Sequence, residues 1–127
     1  MAINLSCYTK IDVAMLQPEL DRIQAKYPNL FSVSENRSHS AYIMYSAHMI
    51  IDEKDLLLIE DRGERYSMET NILIANEFGM MNPKSWFTIA VNDKSFPEIN
   101  TTEMANLMRQ ELGADNIIVL FEGETLI

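Results

Sequence analysis

The chain has 127 residues, a formal net charge of −9 and a pI near 4.6. A field of this sign repels nucleic-acid phosphate and anionic lipid, so DNA, RNA and membrane surfaces are not expected partners. The length suits a single domain over residues 1–127. With Cys7 as the one cysteine, and no basic apolar leader or long apolar run, we expect a cytoplasmic protein without disulfides or membrane spans.

The chain opens with a strand and a helix. Ile3 to Tyr8 alternates apolar and polar residues, which predicts a first strand. The helix that follows contains Pro18, and an interior proline removes a backbone hydrogen bond. We therefore expect a short helical turn over 13–16 and a main helix that begins near Pro18 and buries Leu20, Ile23 and Tyr27.

Three further strands are predicted as an antiparallel meander, because short loops allow only antiparallel pairing. The polar stretch 35–40 predicts a hairpin loop, and residues 52–55 predict a turn. The three strands are expected at Leu30–Ser34, Ala41–Ile51 and Leu56–Glu60.

The segment Ser67–Phe78 predicts a helix, with Ser67 as its N-cap, although Ile72–Ile74 also fits a strand. Four residues share one face of this predicted helix at helical spacing: Met68, Ile72, Ala75 and Phe78. Further along the chain, Trp86–Val91 predicts a fifth strand.

The final stretch has the clearest pattern. Asn100 is a favoured N-cap, and Glu103 can reach back to it as in a capping box. Gly113 suits the helix C-terminus, and the continuous apolar run Ile117–Phe121 predicts a strand that is covered on both faces and central in its sheet. The apolar residues of this last helix are Met104, Leu107, Met108 and Leu112.

The element order is therefore β-α-β-β-β-α-β-α-β. It predicts a two-layer α+β fold with a mixed, mostly antiparallel sheet of about six strands and helices mainly on one face. A layout with helices on both faces is the alternative. Residues 92–115 leave room for a crossover helix, so the fifth and sixth strands are expected to run parallel.

Candidate catalytic residues are sparse. Cys7 lies on the apolar side of the first strand, where cysteine commonly acts as a small hydrophobic residue. A nucleophile would need His39 or His48 beside it. The two histidines lack the spacing of a metal motif, and the carboxylates around Asp52 fail the pattern of a calcium loop. No phosphate-binding glycine motif occurs, so we expect no cofactor and no metal.

The acidic residues are concentrated in the middle of the chain. Between residues 52 and 77 there are eight of them against three basic residues. Those proposed to bind a partner are Asp52, Glu53, Asp55, Glu60, Asp61 and Glu64. Such a field would attract a basic protein and speed its association.

Three hypotheses about function follow. The first is a binding protein of the immunity or antitoxin type, whose acidic face neutralises a basic toxin such as a nuclease. The alternative is a small enzyme or ligand-binding domain that uses Cys7 with His39 or His48. A third is a subunit of a larger assembly, because the apolar tail 125–127 could extend the last strand or pair with a neighbouring chain.

Overall fold

An open antiparallel sheet of six strands lies at the centre of the computed structural model, which describes residues 3–31, 42–91 and 100–127. The elements in chain order are β1 (Asn4–Thr9), α1 (Val13–Lys26), β2 (Tyr42–Met44), β3 (His48–Met49), a 3₁₀ helix (Glu53–Leu58), α2 (Arg62–Glu77), β4 (Ser85–Val91), α3 (Thr101–Leu112), β5 (Ile117–Phe121) and β6 (Thr125–Leu126). The strand order is β2-β4-β1-β5-β6, with β3 also paired to β4. The predicted α+β class is confirmed.

Strand β1 occupies the middle of the sheet and is buried on both faces. Leu5 and Cys7 point into the larger core, and Tyr8 points into a smaller core on the opposite face. The strand pairs antiparallel with β4 on one side and with β5 on the other. Because both neighbours oppose β1, β4 and β5 run in the same direction, but β1 separates them, so the predicted parallel pair does not form and the paired strands are all antiparallel.

The larger core is formed by α1 and α3 on one face of the sheet, whereas α2 and the 3₁₀ helix pack on the other, so the helices lie on both faces, the layout that was the alternative in the sequence analysis. Helix α1 is continuous through Pro18, and the prediction of a break there is wrong. An interior proline costs about 3 kcal/mol, whereas each fully buried large aliphatic side chain contributes about 1.5–3 kcal/mol. Leu16, Leu20 and Ile23 are fully buried while Pro18 is exposed, so packing outweighs the lost hydrogen bond.

The start of α3 is capped as predicted, with one difference. The Asn100 side chain accepts a hydrogen bond from the Glu103 backbone N–H at 3.1 Å. The Asn100 N–H, which a capping box would leave to the Glu103 carboxylate, donates instead to the Tyr42 hydroxyl at 2.9 Å. Gly113 ends the helix at φ +95°, where a Cβ would lie 2.7 Å from the Asn116 amide nitrogen. The N-cap residue Asn100 thus also links α3 to β2 through Tyr42.

The smaller core lies on the other face, under α2 and the 3₁₀ helix. The helix predicted at 67–78 is confirmed, but it begins at Arg62. The strand predicted at Leu56–Glu60 is wrong, because this stretch lies in and just after the 3₁₀ helix. Leu56 is buried and Ile59 is half-buried, a three-residue spacing that suits a 3₁₀ turn. The residues buried in this core are Tyr8, Ile50, Leu56, Ile72, Ala75, Met80 and Leu120.

The long strand predicted at 41–51 is also wrong, because it is divided into β2 and β3. Met44 pairs with Ile89 and His48 pairs with Trp86, so four residue steps oppose three steps on β4. The extra residue is accommodated as a bulge, which bends an edge strand. The strand predicted at 30–34 falls mostly outside the described residues, as does the loop at 35–40.

The C-terminal residues form a hairpin. Residues Thr125–Leu126 pair antiparallel with β5 as strand β6, and the Ile127 N–H donates to the Val119 carbonyl at 3.0 Å. Strand β5 is therefore interior, but the central position belongs to β1, which corrects the prediction. The tail folds back on its own chain and does not extend β5.

One buried carboxylate joins α1 to α3. Glu111 accepts hydrogen bonds from Lys26 at 2.7 Å, from Tyr27 at 2.8 Å and from Arg22 at 3.1 Å. Its side chain is only 6% exposed. The hydrogen bonds from Lys26, then Tyr27, hold the pKa of Glu111 at about 2.

Because the pKa of Glu111 is lowered on folding, its contribution to stability is complete above about pH 4.5 and is lost as the pH falls towards 2. We expect Glu111→Gln to lower the unfolding midpoint at pH 7 and to make stability less dependent on pH between 4.5 and 2. Thermal unfolding at a series of pH values measures this. Glu103→Gln, on the exposed side of the same helix, is the control, and equal acid sensitivity in all three proteins would contradict the assignment.

Candidate functional site

The predicted acidic residues lie along one continuous stretch, which we call the acidic segment, residues 52–64. It comprises the 3₁₀ helix, the link to α2 and the first turn of α2. Glu53 is the first residue of the 3₁₀ helix. The side chains of the other five are exposed: Asp52, Asp55, Glu60, Asp61 and Glu64.

The basic residues within and beside the acidic segment neutralise it only in part. Lys54 approaches Asp52 at 3.7 Å, and both side chains are more than 60% exposed, so this ion pair is weak. Arg65 points inwards and donates to the Ile59 carbonyl at 3.1 and 2.5 Å. That contact holds the 3₁₀ helix against α2. Lys54 and Arg62 are the exposed cations of the acidic segment, and five exposed carboxylates outnumber them, so the local field is negative.

Asp61 also caps α2. Its carboxylate accepts a hydrogen bond from the Glu64 N–H at 2.9 Å, which satisfies a backbone group that the helix leaves free. Ser67, the N-cap predicted from the sequence, lies inside α2. The signal was present, because Asp61 followed three residues later by Glu64 is a recognised helix start.

Large apolar side chains are exposed on the same stretch and on α2. Leu57 is 81% exposed, Leu58 78% and Tyr66 72%. Leu73, two turns along α2 from Tyr66, is also exposed. The exposure of Leu57 and Leu58 was not predicted, because a strand at Leu56–Glu60 would have buried alternate residues. Exposed large apolar side chains can mark a surface that binds another protein.

A pocket of about 410 Å³ opens beside this surface. It lies between the chain just after β3, the second half of α2 and the loop before β4. We call it the α2 pocket, and it is lined in part by Ile50, Asp52, Ile72, Met81 and Lys84. Asp52 is thus the predicted site residue that connects the acidic segment to a cavity.

The structure does not bring Cys7 and His48 together. Cys7 is fully buried in the larger core, and burial raises the pKa of its thiol. His48 is exposed and stacks on Trp86 with ring centroids 4.6 Å apart. Trp86 pairs with Tyr8, so the stack lies on the face of the sheet opposite to Cys7. His39 falls outside the described residues.

Over residues 3–31, 42–91 and 100–127 no three His, Cys, Asp or Glu side chains come together as a metal site. None of the helices there has both the length and the apolar character needed to cross a membrane.

Family comparison identifies the class of protein. Residues 1–125 match the model of the family described as "CDI System Immunity Component", and the chain belongs to this family. The hypothesis of an immunity protein that inhibits a toxin is thereby confirmed. No protein of the curated collection matches the chain.

A solved structure shares the fold. The chain is similar to one in the "CdiA-CT/CdiI toxin and immunity complex from Burkholderia pseudomallei", with a TM-score of 0.62 and 21% sequence identity. The alignment covers 98% of this chain and 95% of the other.

Two substitutions separate the capping hydrogen bond of Asp61 from the negative charge of its side chain. Asp61→Ala should cost about 1 kcal/mol of unfolding free energy because it removes the acceptor for the Glu64 N–H. Asp61→Asn should cost much less, since asparagine caps about as well. Chemical denaturation measures both, and equal losses in the two variants would contradict the capping role.

The burial of Cys7 predicts that its thiol is inert in the folded protein. Reaction with a disulfide reagent should be at least about a hundredfold slower than after unfolding in denaturant, because the buried thiol is shielded and its thiolate disfavoured. Thiol titration with and without denaturant measures the two rates. Rapid labelling of the native protein would restore Cys7 as a candidate nucleophile.

Proposed function

We propose that this immunity protein neutralises a basic toxin and that the acidic segment is the surface that meets it. The observation that carries the proposal is the combination, on one stretch of chain, of exposed carboxylates with exposed large apolar side chains. Charge alone would be consistent with a soluble surface. Leucine and tyrosine side chains left in water are better explained by a partner that covers them.

The two kinds of side chain have different roles in this proposal. Asp55, Glu60 and Glu64 attract the basic surface of the toxin from a distance and raise the association rate. Leu57, Leu58 and Tyr66 then lose water against the partner and slow dissociation, because buried apolar and aromatic groups supply most of the binding energy. The weak Lys54–Asp52 pair leaves the carboxylates free to take up new partners.

A nuclease is the toxin that suits this surface best. An enzyme that cleaves nucleic acid has a basic surface that binds phosphates, and a row of carboxylates can compete for it. On this proposal the chain inhibits by occupying the substrate-binding surface and needs no catalytic group of its own. We place its action in the cytoplasm, where a free thiol such as Cys7 stays reduced.

The contribution of charge is tested by Asp55→Lys/Glu60→Lys. At low salt we expect the association rate with the toxin to fall about tenfold and to depend less on salt, with little change in the dissociation rate. Surface plasmon resonance at several salt concentrations measures both rates.

The matched control is Glu19→Lys/Asp21→Lys. It changes the net charge by the same amount but lies on α1, on the other face of the sheet. If both double variants slow association equally, net charge acts and the acidic segment has no special role. If neither does, the acidic segment does not steer the toxin.

The apolar anchor is tested by Tyr66→Ala. Because this side chain is 72% exposed, its loss should leave the unfolding midpoint nearly unchanged. The toxin should dissociate at least about tenfold faster, as expected of an aromatic hot spot. Tyr45→Ala, an exposed tyrosine near the sheet edge, is the control, and equal dissociation rates in the two variants would remove Tyr66 from the interface.

A further inference from the structure

The 3₁₀ helix is held to the domain by little buried surface. Among its side chains that the structure describes, Leu56 alone is buried, and Ile59, which follows the helix, is half-buried. Leu57 and Leu58 are exposed. A segment with so few buried apolar groups opens locally more readily than the strands and long helices of the core. Its position on the domain therefore depends on polar contacts.

One of these contacts comes from Arg65 on α2. Its Nε and Nη2 atoms both donate to the Ile59 carbonyl, at 3.1 and 2.5 Å. Ile59 caps the end of the 3₁₀ helix, and Glu60 and Asp61 connect it to the first residue of α2. The two hydrogen bonds thus join the last residue of one helix to the first turn of the next, and they fix the angle of the short link between them.

The direction of the Arg65 side chain shows that it orients the backbone. Glu60 and Glu64 lie close to it in sequence and carry exposed side chains, yet both side-chain hydrogen bonds of Arg65 within the described ranges go to an uncharged carbonyl. An exposed ion pair contributes little because water screens it. Two N–H groups of a planar guanidinium on one partly buried oxygen are more directional.

The proposed binding surface has two parts that belong to different elements. Leu57 and Leu58 lie on the 3₁₀ helix, whereas Tyr66 lies on α2, one residue after Arg65. A partner that contacts both parts needs them at a fixed distance and angle. If the link moved, only a fraction of the molecules would present the complete surface, and the apparent affinity would fall in proportion to that fraction.

We infer that Arg65 is a positioning residue for toxin binding, because its hydrogen bonds to the Ile59 carbonyl hold the 3₁₀ helix and the start of α2 together as one preformed surface. This inference rests on the proposed function, since the toxin must meet both parts. It assigns to Arg65 a contribution to affinity even though its own charge opposes a basic partner.

Arg65→Met tests the contact in the chain alone, and Arg62→Met is the matched control. Both substitutions remove one positive charge from the first turn of α2, but the side chain of Arg62 is exposed. The N–H groups of Asp55 and Ile59 form the first and last hydrogen bonds of the 3₁₀ helix, at 2.8 and 3.1 Å. Hydrogen exchange followed by NMR should be at least about tenfold faster at both in Arg65→Met and unchanged in Arg62→Met. Equal rates in the two variants would overturn the inference.

Arg65→Lys separates positioning from general stability, and it carries the test if Arg65→Met does not fold. Lysine keeps the charge but lacks the two-pronged donor, so its exchange rates at Asp55 and Ile59 should lie between those of the other two proteins. Exchange in β1 and in the second half of α2 should not change, because the 3₁₀ helix opens locally. Faster exchange throughout the domain, with a lower unfolding midpoint, would mean that Arg65 only stabilises the fold and would contradict the inference.

Binding of the toxin, measured by surface plasmon resonance, separates this inference from the proposed function. Arg62→Met should bind at least as tightly as the unchanged chain, because the surface becomes more negative. Arg65→Met, with the same change in charge, should bind at least about fivefold more weakly. If Asp55→Lys/Glu60→Lys slows association while Arg65→Met binds as Arg62→Met does, the inference alone is wrong. If all these variants bind as the unchanged chain does, the proposed surface fails with it.

Discussion

The position of β1 between β4 and β5 requires that both faces of the sheet be covered. Leu5 and Cys7 on one face and Tyr8 on the other are all buried, so neither face of this strand can be left to water. Helices α1 and α3 cover the first face. The second face is covered by α2 and the 3₁₀ helix, which thereby carry the acidic segment to the surface. The location of the proposed binding surface follows from the packing of β1.

The second face also explains why so much apolar surface stays exposed. The 3₁₀ helix has three consecutive leucines, and its geometry buries Leu56 alone. Leu57 and Leu58 remain in water, although burying each would contribute about 1.5–3 kcal/mol. A domain whose unfolding free energy is about 5–15 kcal/mol would gain from burying them. Their exposure fits a surface that is completed by a partner.

The sequence predicted most reliably the elements with both a cap and a periodic apolar face. Helix α3 has both, and the Asn100 cap and the buried Met104, Met108 and Leu112 were confirmed. The prediction of a helix break at Pro18 was wrong because the helix propensity of one residue does not include the packing of α1 on the sheet. The strand predicted at 56–60 was wrong because three consecutive leucines are compatible with a strand as well as with a 3₁₀ helix.

Of the candidate site, only the negative charge could be predicted from the sequence. Carboxylates can be counted in a sequence, and those of the acidic segment whose side chains the structure describes are exposed. The α2 pocket was not predictable, because Ile50, Asn76 and Lys84 are brought together by tertiary packing. The exposure of Tyr66 was hidden for a similar reason, since it depends on where α2 begins.

The central claim is that the toxin covers the acidic segment. Hydrogen–deuterium exchange of the chain, alone and saturated with toxin, tests it most directly. The account predicts slower exchange in peptides from Glu53–Leu58 and from α2, with little change in α1 and α3. Protection confined to α1 and α3, with the acidic segment exchanging as in the free chain, would contradict it.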